Sequence, residues 1–154
     1  MATTDLSPSP PVLKIRALYD QRSPMRDGVE LSADVYMPAE DGPVPALLIR
    51  TPYDNISEED LRTRSAMVDL AQRGYAVVAQ DVRGRFDSEG DWYPFINEAE
   101  DGHDTIEWIA KQPWCNGKVA TFGGSYRGLT QWQAAQGGST HLAAAVPRGG
   151  YSNL

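Results

Sequence analysis

The stretch Lys118-Val119-Ala120-Thr121-Phe122-Gly123-Gly124-Ser125-Tyr126-Arg127-Gly128 joins an apolar run, two glycines, a serine and the start of a helical pattern. It reads as a strand, a sharp turn and a helix, with the serine at the apex of a bend that glycines permit. Working outward, the strand–helix alternation repeats. Ala46-Leu47-Leu48-Ile49 and Tyr75-Ala76-Val77-Val78-Ala79 are continuous apolar runs, as, more weakly, are Val119–Phe122 and Leu142–Val146. Strands covered on both faces of a parallel sheet have this pattern. Helical segments separate them. Leu61, Ser65, Val68 and Ala71 mark one face of the first, with Gly74 where a C-cap belongs. Asn97 with Glu100 three residues later forms a capping-box start for the second, whose apolar face carries Ile106, Ile109 and Ala110. A third is expected from Tyr126 to about Gln136, ending before Gly137-Gly138.

Nearer the N-terminus the period changes to two. Leu13, Ile15, Ala17 and Tyr19 alternate with Lys14, Arg16, Leu18 and Asp20, and Leu31, Ala33, Val35 and Met37 alternate with Glu30, Ser32, Asp34 and Tyr36. Asp27-Gly28 between them signals a turn. An antiparallel hairpin with one wet and one buried face is expected. The whole is an α/β architecture: that hairpin, followed by a mostly parallel, doubly wound sheet with right-handed crossovers. Residues 1–11, rich in Ser, Thr and Pro, are expected to form a flexible tail, and 12–154 a single domain.

The composition of the 154 residues, 41% hydrophobic and 23% charged, is globular. A net charge of −7 repels phosphate backbones and argues against nucleic acid as a partner. No apolar run approaches the roughly 20 residues that span a bilayer, and the opening residues lack the basic and apolar regions of a secretory signal. Cys115 is the single cysteine, so no internal disulfide or multi-thiolate metal site can form, and a reducing cytoplasmic setting is expected.

The chemistry concentrates at the glycine turn. A tight bend lifts the Ser125 hydroxyl into the crevice at the carboxyl ends of the strands. The helix N-terminus behind it offers unpaired N–H groups, the first being that of Tyr126, to an oxyanion. Two other readings fit the same residues. Ser125 could be an ordinary N-cap, or the Gly123–Tyr126 turn could bind an anion or nucleotide without catalysis. The second lacks the third glycine of a dinucleotide loop, an acid after Ser125 and a Walker lysine. The first glycine-rich reading departs from strict G-x-S-x-G, since Arg127 takes the last glycine's place and Gly128 follows. The pattern leaves these readings open.

Several further segments bear on the choice: Met25-Arg26-Asp27-Gly28-Val29, Arg50-Thr51-Pro52-Tyr53-Asp54, Gln80-Asp81-Val82-Arg83-Gly84 with Ser88-Glu89-Gly90, and Trp114-Cys115-Asn116-Gly117 ahead of the glycine turn. In this order they resemble the start of the cocaine esterase / X-Pro dipeptidyl-peptidase family, a branch of the α/β-hydrolases. The resemblance runs from about residue 14 onward and accommodates the displaced glycine. It implies the N-terminal portion of an α/β-hydrolase fold, truncated before its remaining strands, a cap and a β-rich C-terminal domain. It also implies a serine hydrolase acting on small esters, amides or short peptides, without a cofactor or metal. Ser125 would be the acylated nucleophile, the Tyr126 N–H one oxyanion donor and the Tyr53 hydroxyl the other. From the residues alone, Tyr53 reads only as an amphipathic boundary residue.

A serine nucleophile requires a base and an orienting acid. After Ser125 the chain has no Asp or Glu, and its one histidine there, His141, precedes an expected strand rather than following one. The acid and base are therefore expected to lie outside this chain. His103 and Glu107, four apart on a helix, lack a third metal ligand and read as a solvated face, as does the acid-rich run Glu98–Glu107. Arg83 and Arg85 read as loop-bracing ion pairs, Trp92, Trp108, Trp114 and Trp132 as packing residues, and Cys115 as a small buried residue.

Overall fold

The computed structural model describes residues 13–40, 42–55 and 61–149, with 61–63 by backbone alone. The expected flexible tail lies outside the described residues. Strands β1 (Ile15–Pro24) and β2 (Glu30–Pro38) form the antiparallel hairpin. At its tip Gly28 has φ +88°, and Met25 and Val29 close the turn with an N–H to C=O bond of 2.8 Å. Then come β3 (Val44–Thr51), helix α1 (Leu61–Gln72), β4 (Ala76–Asp81), α2 (Glu98–Ala110), β5 (Cys115–Gly124), α3 (Tyr126–Gln136) and β6 (Leu142–Arg148). The described strands make one sheet in the order β1-β2-β4-β3-β5-β6. Pairing is antiparallel at β1–β2 and β2–β4 and parallel from β4 to β6. This is the expected hairpin followed by a doubly wound parallel sheet.

Two apolar cores lie on opposite faces. On one, Val35, Leu48, Val78 and Val119 pack against Ile106 and Ile109 of α2 and Ala134 of α3. On the other, Tyr36, Ile49, Val77 and Ala79 pack against Met67 and Ala71 of α1. Alternate residues of each strand thus feed alternate cores, as the two-residue period of a strand requires. Helix α2 meets α3 at very short range. A Cβ on Gly102 would stand 2.6 Å from the Ala134 Cβ, and one on Gly137 would stand 2.7 Å from the His103 Cβ.

Local expectations are corrected in five places. The α1 face that packs inward is Met67 and Ala71, with Leu70 half-buried, and Ser65 is exposed. The second face of β2 is not wet: Ser32, Asp34 and Tyr36 are buried. Tyr36 belongs to the core under α1, and the loop after β4 covers Ser32, whose N–H donates to Ser88 Oγ at 2.9 Å. The alternation in β1 fails at Tyr19 and Asp20, where the register shifts, Asp20 takes φ +50° and Tyr19 is exposed. Asn97 is helical and makes no side-chain cap, so the capping box does not form. Glu100 pairs instead with Arg26 at 3.2 Å. Finally, the acidic run is not a solvated face throughout, since Glu98 and Asp101 are buried. The outer edge strand β6 leaves Ala143 to Val146 exposed. No described helix is long and apolar enough to cross a membrane.

Candidate active site

The parallel register sets the site. Leu48 of β3 lies opposite Thr121 of β5, so Thr51 and Gly124 end neighbouring strands at the same level. Tyr53 follows the first end by two residues and Ser125 the second by one. Both therefore lie at the carboxyl edge of the sheet, where doubly wound folds place their ligands.

Ser125 is exposed and has φ +57°, ψ −127°. A serine N-cap sits in the β region and accepts a helix N–H through its side chain. Ser125 does neither: its φ is positive and its side chain makes no cap hydrogen bond. The backbone enforces this geometry. The Ser125 N–H donates to Arg148 O at 2.9 Å, and the Ser125 C=O accepts from Gly128 and Leu129 at 2.8 and 3.1 Å. Gly123, at φ +140°, has no room for a Cβ, which would stand 2.7 Å from that of Arg127. The hydroxyl is thus freed from its own helix, beside the N-terminal turn of α3.

Tyr126 turns inward behind the serine. Its hydroxyl donates to Glu98 Oε1 at 2.7 Å and accepts from the Phe95 N–H at 3.2 Å. Its ring stacks on Phe95 at 4.8 Å. Burial, with the neighbouring Glu98 charge, pushes the phenol up to about 12. Tyr53 remains half exposed, and the Arg127 guanidinium lies 5.9 Å from its ring centroid. That contact bridges the β3 loop and the first turn of α3. Nearby, Arg85 stacks on Phe86 and Trp92, at 4.9 and 4.7 Å from their centroids, and its Nε donates to Pro52 O at 3.2 Å. Trp92 so serves as a platform for a guanidinium, and Arg85 braces a loop through a ring stack and a carbonyl.

Beneath the site lies a chain of buried charges that the sequence did not disclose. Arg50 and Glu98 are each 3% exposed and Asp101 is 2% exposed. Arg50 pairs with Glu98 at 2.8 Å, lies 3.8 Å from Asp101, and its Nε donates to Gln80 Oε1 at 2.8 Å. Arg83 joins Asp101 at 2.6 Å to Asp27 at 2.8 Å, which raises the guanidinium further above its ordinary value. Two signals were available. Arg50 is a cation at the end of an apolar strand, and the α2 core period of Ile106 and Ile109, continued backward, falls on Thr105, Gly102, Asp101 and Glu98.

The two histidines stay away from Ser125. His141 lies at the opposite end of the sheet, its Nδ1 2.8 Å from Gly117 O. The His103 Cβ faces Gly137 at the far end of α3. Glu107 accepts from Ser139 Oγ at 2.7 Å. No three acidic, His or Cys side chains among the described residues converge to hold a metal ion. Cys115 is buried, and desolvation pushes its thiol up.

The chain is similar to known proteins over most of its length. The family model for X-Pro dipeptidyl-peptidase (S15 family) matches residues 27–154. The cocaine esterase of Rhodococcus sp. (strain MB1 Bresler) is 50% identical over 125 residues, covering 80% of this chain and 22% of its own. A CocE/NonD family hydrolase from Staphylococcus aureus superimposes with a TM-score of 0.75 at 28% identity, covering 84% of this chain and 26% of its own. An aminopeptidase from a marine sediment archaeon, Thaumarchaeota archaeon, gives a TM-score of 0.72 at 31% identity, covering 95% of this chain and 28% of its own. The chain thus spans 22–28% of the length of these relatives.

Proposed function

The chain belongs to the X-Pro dipeptidyl-peptidase (S15) family, and on that premise we propose that it carries the nucleophile and the oxyanion site of a serine hydrolase of esters, amides or short peptides. The Ser125 Oγ attacks the substrate carbonyl, its proton passing to a base, and the carbonyl oxygen becomes an oxyanion. The Tyr126 N–H and the Tyr53 hydroxyl donate to that oxygen. Collapse expels the alcohol or amine and leaves an acyl-serine, which water then hydrolyses. Neither histidine of the chain is placed to serve Ser125, so the base and its orienting acid come from polypeptide outside this chain.

The observation that carries this is the backbone of Ser125. A positive-φ serine with an uncapped, exposed hydroxyl at a strand-to-helix turn has no purpose as a cap, and an anion-binding turn requires no side chain there. Treatment of the natural polypeptide containing this chain with a fluorophosphonate should place one phosphonyl adduct on Ser125, located by mass spectrometry. Tyr53→Phe should slow that labelling about 100-fold, the usual effect of losing one oxyanion donor. Absence of an adduct, or an adduct elsewhere, overturns the assignment.

A further inference from the structure

The buried charges under the site take no part in the reaction proposed above, yet they end on the residue whose amide faces the oxyanion. Following them inward from the exposed Asp27 of the hairpin, Asp27 pairs with the partly buried Arg83, Arg83 with the buried Asp101, Asp101 lies 3.8 Å from Arg50, Arg50 pairs with Glu98, and Glu98 accepts the Tyr126 hydroxyl. Apolar side chains of the same volume would pack at least as well as such a buried network. What the polar version adds is direction, because a hydrogen bond fixes where an atom points.

We propose that Glu98 is a positioning residue: by accepting the Tyr126 hydroxyl at 2.7 Å, it fixes the Tyr126 side chain and, through it, the backbone N–H beside Ser125. This rests on Ser125 being the nucleophile. Three features make Glu98 a rigid anchor. Arg50 forms an ion pair with its other oxygen at 2.8 Å and donates from Nη1 to the Glu98 backbone carbonyl at 3.1 Å. Its helix cannot slide, since α2 and α3 touch at Gly102–Ala134 and His103–Gly137 with no space for a methyl group. The phenol's single proton is committed to Glu98, because the Phe95 N–H occupies the oxygen from the other side. Tyr126 cannot rotate without breaking both bonds and the ring stack on Phe95. An oxyanion donor requires such control, since a displacement of about 1 Å at a reacting group can cost about 100-fold in rate.

The test uses the natural polypeptide containing this chain, with Tyr126→Phe, which removes one oxygen and keeps the ring, and Glu98→Met, which keeps the length of the side chain and removes the acceptor. The readouts are kcat and KM on an activated ester and the affinity of a boronic acid, whose adduct with serine fills the oxyanion site. In both variants kcat and boronate affinity should fall together by about 10–100-fold, with KM within about twofold. Retention of kcat, or a fall in kcat with boronate affinity intact, overturns the proposal. Loss of a cooperative unfolding transition in both variants overturns it in favour of a purely structural carboxylate. Fluorophosphonate labelling of the unmutated protein is read separately: without an adduct on Ser125, the nucleophile assignment itself fails.

Discussion

At the residue scale, Ser125 carries strain. An L-residue at φ +57°, ψ −127° is held against its preference at a cost on the order of 1–3 kcal/mol. The surroundings hold it there through the Arg148 carbonyl, the helix amides of Gly128 and Leu129, and a Gly123 that admits no Cβ. Replacement by glycine removes the conflict, although it adds freedom to the unfolded chain worth about 0.5–1 kcal/mol. Ser125→Gly should therefore be more stable than the parent by about 1 kcal/mol, while Ser125→Ala, which keeps the Cβ, should match the parent. For an unstrained N-cap the parent would be the most stable of the three. Urea denaturation followed by tryptophan fluorescence decides between the two orders.

At the element scale, the decisive contact is between α2 and α3. The ideal Cβ at position 102 lies 2.6 Å from the Ala134 Cβ and 3.1 Å from its Cα, while the Arg50 guanidinium closes the third side at 3.4 Å. Gly102→Ala improves helix propensity by about 1 kcal/mol, yet overpacking of this kind costs about 1–3 kcal/mol. The variant should lose stability in denaturant unfolding, and adding Ala134→Gly should restore part of the loss. An unchanged midpoint would mean that the helices separate freely. This contact also explains what could be read from the sequence. The apolar strands, the bounds of α3 and the serine turn were legible because each is written in consecutive residues. The pairing of Glu98 and Asp101 with Arg50 was not, because Arg50 stands 48 and 51 positions away and only the tertiary fold brings it under α2. For the same reason Asn97 and Glu100 looked like a capping box, whereas Glu100 is drawn to Arg26. The wet face assigned to β2 failed because α1 and the loop after β4 supply a second layer that period two cannot reveal. The donor role proposed for Tyr53 rests on the family resemblance, since nothing in its own neighbourhood distinguishes it from a boundary aromatic.

At the scale of the whole molecule, stability should carry a pH signature from the carboxyl edge of the sheet. Asp81 ends β4 fully buried, its Oδ1 accepting the Asn55 N–H at 2.9 Å and its Oδ2 without a partner. Burial, reinforced by the Asp54 and Asp87 charges against the Asn55 and Asp87 amides, pushes it up to about 7. In the unfolded chain an aspartate titrates near 3.8. Between these values the folded state binds more protons than the unfolded one, so Asp81 removes stability as pH rises from about 4 to 7. Its penalty is absent below that window and complete above it, and the interval corresponds to on the order of 4 kcal/mol. Asp27, Asp104 and Glu107, held low by Arg83, Arg26 and Ser139, act in the opposite sense. A profile of the parent alone therefore mixes the two, and the difference from Asp81→Asn isolates the first. Asparagine keeps an acceptor for the Asn55 amide and carries no charge in either state, although its buried NH₂ adds a pH-independent cost of about 1–3 kcal/mol. The stability of Asp81→Asn minus that of the parent should accordingly rise by a few kcal/mol between pH 4 and pH 8, whatever its sign at pH 4. Urea titrations at several pH values across this window measure the difference, and parallel profiles would show that Asp81 ionises as freely folded as unfolded.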